Sequence, residues 1–173
     1  MRSRWVTDRS VESILDALTP ANRLACEMSW RYGMRIGDVL DTRTKDVMRG
    51  RWSYREEKTD KRRRVCISED MRRRLLGQAG AVYVFEGRLS PFKHRTRFAV
   101  YKDIRRAADL FRLGRGVSPH SMRKAYAVRT YHEGGNDLKR VQRLLNHDDE
   151  AVTMIYALAD QMECNRKARK RGK

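Results

Sequence analysis

Between residues 46 and 67 the apolar pattern of this chain changes period, and that change narrows the folds open to it. On either side, apolar residues recur every three or four positions, the spacing of helices with one buried face. Within the stretch, Trp52 and Tyr54 alternate with polar residues. Val65 and Ile67 do the same after the charged run Lys58-Thr59-Asp60-Lys61. Two runs of period two around a polar turn predict an antiparallel β-hairpin. A hairpin embedded among helices makes the expected class α+β, mainly α with a small antiparallel sheet.

The flanking helices can be placed from their punctuation. Asp8 to Leu18 reads as a short helix with Asp8 or Ser10 as cap and Val11, Ile14, Leu15 and Leu18 inward. Thr19-Pro20 restarts the chain as a helix to Tyr32, with Leu24, Ala25, Met28 and Trp30 on its inner side and Gly33 closing it. Met34 to Leu40 predicts a second short helix beginning near Arg35. After the hairpin, Ser68 caps a helix through Met71, Leu75 and Leu76, and Val82 to Phe85 reads as a third short strand. From Thr96 on, Phe98, Tyr101, Ile104, Ala108 and Phe111 form one apolar stripe ended by Gly114. Ser118-Pro119 opens a helix that Gly134-Gly135 ends, Asp137 caps Leu138 to Leu145, and Asp148 or Asp149 caps a last helix. The tail beyond Asp160 is basic. No internal repeat or Pro/Ser-rich linker divides the chain, so the expectation is one domain over residues 1–160 with a basic tail at 161–173.

Charge says what that domain meets. With 40 Lys and Arg against 22 Asp and Glu, the formal net charge is +18. An excess of that size opposes compaction unless a polyanion neutralises it. A membrane-surface protein would gather its basic residues on one amphipathic helix. Here they are spread over helices, hairpin and tail, which favours nucleic acid and steeply salt-dependent binding. No apolar run approaches the roughly 20 residues that span a bilayer, and no apolar segment follows Met1-Arg2-Ser3-Arg4-Trp5, so a cytoplasmic location is expected. Cys26, Cys66 and Cys164 lack CxxC spacing, which argues against a disulfide framework or a zinc site; Cys26 and Cys66 read as small buried hydrophobes.

Ser118-Pro119-His120-Ser121-Met122-Arg123 carries the first chemical signal. His120 and Arg123 share a helix face, in a first turn whose free N–H groups favour an anion. A guanidinium there grips two phosphate oxygens at once. The same pair also suits an ordinary surface His near an Arg. Tyr156, among Val152, Ile155 and Leu158, suits either a core tyrosine or a nucleophile whose phenol needs nearby cations to ionise.

Four segments taken together resemble the tyrosine recombinase (phage integrase) family. Leu144-Leu145-Asn146-His147 followed by Tyr156 is similar to its leucine-rich helix, Gly-His pair and nucleophilic tyrosine. Ser118 to Arg123 resembles its H-x-x-R box. Tyr32-Gly33-Met34-Arg35-Ile36-Gly37-Asp38-Val39-Leu40 resembles its first arginine box, and Glu57-Lys58-Thr59-Asp60-Lys61-Arg62 the hairpin that holds its lysine. The boxes stand in the family's order over about residues 20–160. The resemblance implies that family's catalytic-domain fold, of the DNA breaking-rejoining type, and site-specific strand exchange on double-stranded DNA through a 3′-phosphotyrosyl intermediate. It implies neither metal nor other cofactor. Arg35 and Arg123 would clamp the scissile phosphate with His120 and His147, Lys58 would protonate the leaving 5′ oxygen, and Tyr156 would attack. Asp38 would orient Arg35, and Lys61 is the alternative general acid. Lys61, Arg62, Arg63, Arg64, Lys124, Arg166 and Lys167 are the candidate DNA contacts, with Arg72-Arg73-Arg74 as further basic surface. The implied partners are four protomers on two duplexes, with accessory or host recombination proteins besides, and a nucleoid association when bound to DNA.

The sequence departs from the family's pattern in four places. Asp38 stands where Glu is usual, Lys124 where His is frequent, and Asn146 where Gly is usual. The family's N-terminal DNA-binding domain has no counterpart in this sequence, so the expectation is a single-domain recombinase or a fragment. A type IB topoisomerase-like activity and a DNA-binding regulator or accessory factor on the same fold are the alternative readings.

Overall fold

The computed structural model describes residues 3–145. Helix α1 (Asp8–Ala17) is capped by Thr7, whose Oγ1 accepts the Ser10 N–H at 3.2 Å, rather than by Asp8 or Ser10. Helix α2 (Pro20–Tyr32) ends at Gly33, where a left-handed φ of 63° turns the chain, and α3 (Ile36–Leu40) follows with Arg35 as its N-cap residue. A short α4 (Thr44–Met48), not anticipated from the sequence, leads into the hairpin β1 (Arg51–Arg55) and β2 (Arg62–Cys66). Its antiparallel register pairs Trp52 with Val65 and Tyr54 with Arg63. Helix α5 (Glu69–Leu76) starts at Ser68, whose Oγ accepts the Met71 N–H.

Val82 to Phe85 forms no strand of its own. Tyr83, Val84 and Phe85 are buried in succession, so the alternation a half-exposed strand requires is missing. The segment makes one isolated bridge, Tyr83 with Arg43. The second hairpin lies just beyond, β3 (Glu86–Gly87) with β4 (Ser90–His94), and is largely exposed and proline-bearing, which hid it from pattern reading.

Helices α6 (Arg97–Leu110), α7 (Pro119–Glu133) and α8 (Leu138–Leu145) complete the described chain. The expected apolar stripe of α6 is split. Val100, Ile104, Ala107 and Ala108 face inward, while Phe98 is 62% exposed and stacks on Tyr101 outside. At 3.6 residues per turn Phe98 lies nearly half a turn round from Val100, so both cannot face the core. Cys66 is exposed on the outer face of β2, contrary to expectation, whereas Cys26 is buried and burial pushes its thiol up. The main core joins α1, α2, α6 and the start of α7 through Ile14, Leu24, Met28, Ile104 and Met122. Among the described residues no helix is long and apolar enough to cross a membrane.

One buried polar joint locks α2 to α6. Asp103 Oδ2 accepts the Thr19 N–H, the Thr19 hydroxyl and Asn22 Nδ2 at 2.9, 2.9 and 2.7 Å, and Oδ1 accepts Arg106 Nη2 at 2.7 Å. Burial pushes this carboxyl up, but the bonds from Asn22, Thr19 and Arg106 outweigh it and hold it at about 2. A carboxyl depressed in the folded state stabilises fully above its unfolded value near 4 and loses that contribution as pH falls toward 2. Asp103→Asn should therefore cost about 2 kcal/mol in urea unfolding at pH 7, and the gap to wild type should close as pH falls from 4 to 2. A gap unchanged with pH would refute the ionic account of this joint.

Candidate active site

Several elements deliver side chains to one cavity of about 330 Å³, lined by Arg35, Lys58, Arg97, His120 and Arg123 among others. Arg35 comes from the joint between α2 and α3, where Gly33 reverses the chain. A Cβ at Gly33 would lie 2.4 Å from the Tyr126 ring, so both the left-handed turn and the closeness of α7 require glycine. Lys58 comes from the turn between β1 and β2 and is exposed. His120 stands in the first turn of α7, opened by Ser118, whose N–H donates to Ser121 Oγ at 3.1 Å; Arg123 follows on the same face. Lys61, on the far side of the turn, is not among the cavity's lining residues; its carbonyl accepts the Glu56 N–H and continues the hairpin ladder.

Behind the cavity lies a buried carboxylate that sequence reading missed. Glu56 is 1% exposed. Its Oε2 sits 2.8 Å from Arg35 Nη1, and its Oε1 lies 3.4 Å from Arg63 Nη1 and 3.9 Å from Arg123 Nη1. The signal was present in the alternation: Trp52, Tyr54 and Glu56 share a hairpin face, so Glu56 follows two inward aromatics. Arg123 is itself 1% exposed. It donates through Nη1 to the Gly33 carbonyl and through Nη2 to the Leu145 carbonyl at 3.0 Å, tying the start of α7 to the ends of α2 and α8.

Asp38 is buried beside this network, and its Oδ1 accepts the Glu57 N–H at 3.1 Å, which fastens α3 to the hairpin turn. Burial pushes its carboxyl above the usual range, with the Glu57 N–H pulling it down, Glu56 adding to the rise, and Arg35 and Arg123 opposing it. Arg97, at the start of α6, pairs with the Glu57 carboxylate across the mouth of the cavity. Arg97 was not anticipated. It is the first residue of α6 and belongs to no recognisable box.

The other sequence candidates divide sharply. Arg62 and Arg64 are exposed on β2, but Arg63 between them is buried. Its Nη1 and Nη2 donate to the Gly33 and Tyr32 carbonyls at 2.8 and 2.6 Å, so its expected place among outward DNA contacts is corrected. Strand alternation is the reason: the middle residue of an Arg-Arg-Arg run in a strand faces opposite to its neighbours. Lys124 is half-buried and its Nζ donates to the Ser3 carbonyl at 2.6 Å, binding the N-terminal segment to α7 rather than pointing outward. The run Arg72-Arg73-Arg74 is paired in place with Glu69, Asp70 and Glu27. Asn146, His147, Asp148, Asp149, Tyr156, Arg166 and Lys167 lie outside the described residues.

With that geometry in place, the comparisons fall into one group. The family model described as the phage integrase family matches residues 4–163. The Probable integrase/recombinase YoeC of Bacillus subtilis (strain 168) is 28% identical over 134 residues, covering 74% of this chain and 72% of that protein. The tyrosine recombinase XerD of Lacticaseibacillus casei is 29% identical over 150 residues, covering 78% of this chain but 49% of that protein. The crystal structure of a lambda integrase dimer bound to a COC′ core site superposes with a TM-score of 0.70 at 22% identity, over 89% of this chain and 48% of that one. The chain thus spans between about half and three quarters of the length of these relatives.

Proposed function

Since this chain belongs to the phage integrase family, we propose that it carries the cleavage and rejoining chemistry of a site-specific DNA recombinase. The observation that carries the reading is the meeting of Arg35, Lys58, His120 and Arg123, from three segments of the chain, around one cavity. Two guanidiniums beside an imidazole and an ammonium make a site for a phosphodiester whose charge grows in the transition state. In the reaction the Tyr156 phenol oxygen bonds to phosphorus as the bond from phosphorus to the 5′ oxygen breaks. Arg35 and Arg123 neutralise the non-bridging oxygens, with His120 and His147 as hydrogen-bonding partners. The phenol proton passes to a base or to solvent, and Lys58 gives a proton to the leaving 5′ oxygen. Attack by a 5′ hydroxyl of a second strand reverses these steps and reseals the backbone.

Two further features support the assignment. No tyrosine among the described residues lines this cavity. Tyr54 lines the adjoining one, and burial raises its phenol to about 12, which makes it a poor nucleophile. Arg62 and Arg64 offer exposed charge for the duplex backbone, with Lys61, Arg166 and Lys167 as further contacts. The partners are double-stranded DNA and further copies of the chain, four on two duplexes during exchange, with accessory recombination proteins. The lambda integrase dimer on its core site is the structural precedent for DNA and self-association. The working location is cytoplasmic and nucleoid-associated.

The test is a covalent protein–DNA band on nicked or 5′-phosphorothiolate duplexes carrying candidate sites. Retarded complexes without a band would favour a regulator, and relaxation of supercoiled plasmid irrespective of sequence a topoisomerase-like enzyme. Lys58→Ala should slow cleavage about 100-fold on the ordinary 5′ oxygen and far less on a sulfur leaving group, which needs no proton. Equal slowing on both substrates, or the same selectivity in Lys61→Ala, would remove Lys58 from the role.

A further inference from the structure

We propose that Glu56 is a positioning residue that couples the Lys58 turn to the arginine clamp; the inference rests on the reaction assigned above. One carboxylate oxygen makes the link. Glu56 Oε2 is 2.8 Å from Arg35 Nη1 and also accepts the hydroxyl of Thr59, the residue after Lys58, at 2.8 Å. The backbone of the same residue shapes the turn: its carbonyl accepts the Asp60 N–H at 2.9 Å and its N–H donates to the Lys61 carbonyl at 3.0 Å. The second oxygen faces Arg63 and Arg123. The general acid and both clamp residues are therefore referenced to a single buried group.

Charge explains why a carboxylate is needed there. Three guanidiniums converge behind the cavity, and without an anion among them their mutual repulsion would splay them. Glu56 cancels part of that charge and leaves the cluster net positive for a phosphate. The Glu56 carboxylate lies 2.8 Å from Arg35 Nη1 as an ion pair, so its charge draws that end of the planar guanidinium toward the buried side. Asp38, the carboxylate of the first arginine box, holds the turn through the Glu57 N–H. Glu57 and Arg97 pin the other flank of Lys58.

The coupling has a signature that a purely structural residue would not show. Single-turnover cleavage by the full chain is measured on duplexes with an oxygen or a sulfur leaving group. Glu56→Gln keeps the volume and an acceptor for Thr59 but removes the charge. It should slow the oxygen substrate by about 100-fold, with sulfur restoring only part of the loss, because clamp and turn are both displaced. Thr59→Val cuts only the link to the turn; its loss on oxygen should be nearly erased by sulfur. Glu56→Asp, which keeps the charge and retracts it, should fall between wild type and Glu56→Gln. Wild-type rates in Glu56→Gln on both substrates, or equal slowing on both, would overturn the coupling, as would Thr59→Val slowed equally on both. If Glu56→Gln fails to fold by circular dichroism, the leaving-group selectivity of Thr59→Val decides alone. A wild-type chain that forms no covalent product would instead defeat the recombinase reading itself.

Discussion

Tyr156→Phe is expected to abolish the covalent protein–DNA product while leaving retarded complexes at the wild-type concentration. The substitution removes one oxygen and keeps the ring, so binding through phosphates is unchanged. Loss of a nucleophile costs on the order of 10⁴-fold or more, because no neighbouring group takes over the bond-forming step. A phenol with a pKa near 10 needs cations to become reactive at neutral pH. Arg35, Lys58, His120 and Arg123 gather such groups in one cavity. Denaturing gels of nicked duplexes incubated with each protein give the readout. A covalent band that survives in the variant would reassign the nucleophile.

Arg123→Ala should lose stability as well as activity, and that combination separates it from Arg35→Ala. Arg123 is almost wholly buried, and removing it strips donors from the Gly33 and Leu145 carbonyls and a counter-charge from Glu56. Breaking a buried charged network by removing one partner costs about 3–5 kcal/mol. In a domain of this size that is a fall of roughly 10 °C in Tm. Arg35, more exposed and paired with the same carboxylate, should lose activity comparably with a smaller Tm change. Thermal unfolding of both variants beside single-turnover cleavage checks this. Arg123→Ala with a wild-type Tm would mean the buried network contributes nothing to the fold.

Much of the fold is legible in the sequence. The period-two stretch around Trp52 and Val65 is the first hairpin, Thr19-Pro20 and Ser118-Pro119 open helices as punctuated, and Gly33 and Gly134 close them. These signals are local, set by capping groups, by proline and by side-chain alternation within a few residues. What misled were apolar residues whose burial depends on distant neighbours. Phe98 and Tyr101 fit a helical stripe, yet α6 turns Val100 and Ala107 to the core instead. Val82 to Phe85 is apolar enough to suggest a strand, yet Tyr83, Val84 and Phe85 form a buried connector.

The candidate site divides along the same line. The resemblance to the family's boxes marked Arg35, Asp38, Lys58, His120 and Arg123; of these only His120 and Arg123 also stand out from their own spacing, three apart at the start of one helix. The amino-acid sequence also determined the positive charge and the hairpin that carries Lys58. Alternation back from Val65 and Ile67 already puts Arg63 on the inner face and Arg62 and Arg64 on the outer one; only the tertiary structure decided what Arg63 meets there, the Gly33 and Tyr32 carbonyls. It alone brought Glu56 behind Arg35 and Arg97 onto Glu57, contacts between residues far apart in the chain. A carboxylate's effect on a guanidinium depends on distance and burial, and neither quantity exists until the chain has closed on itself.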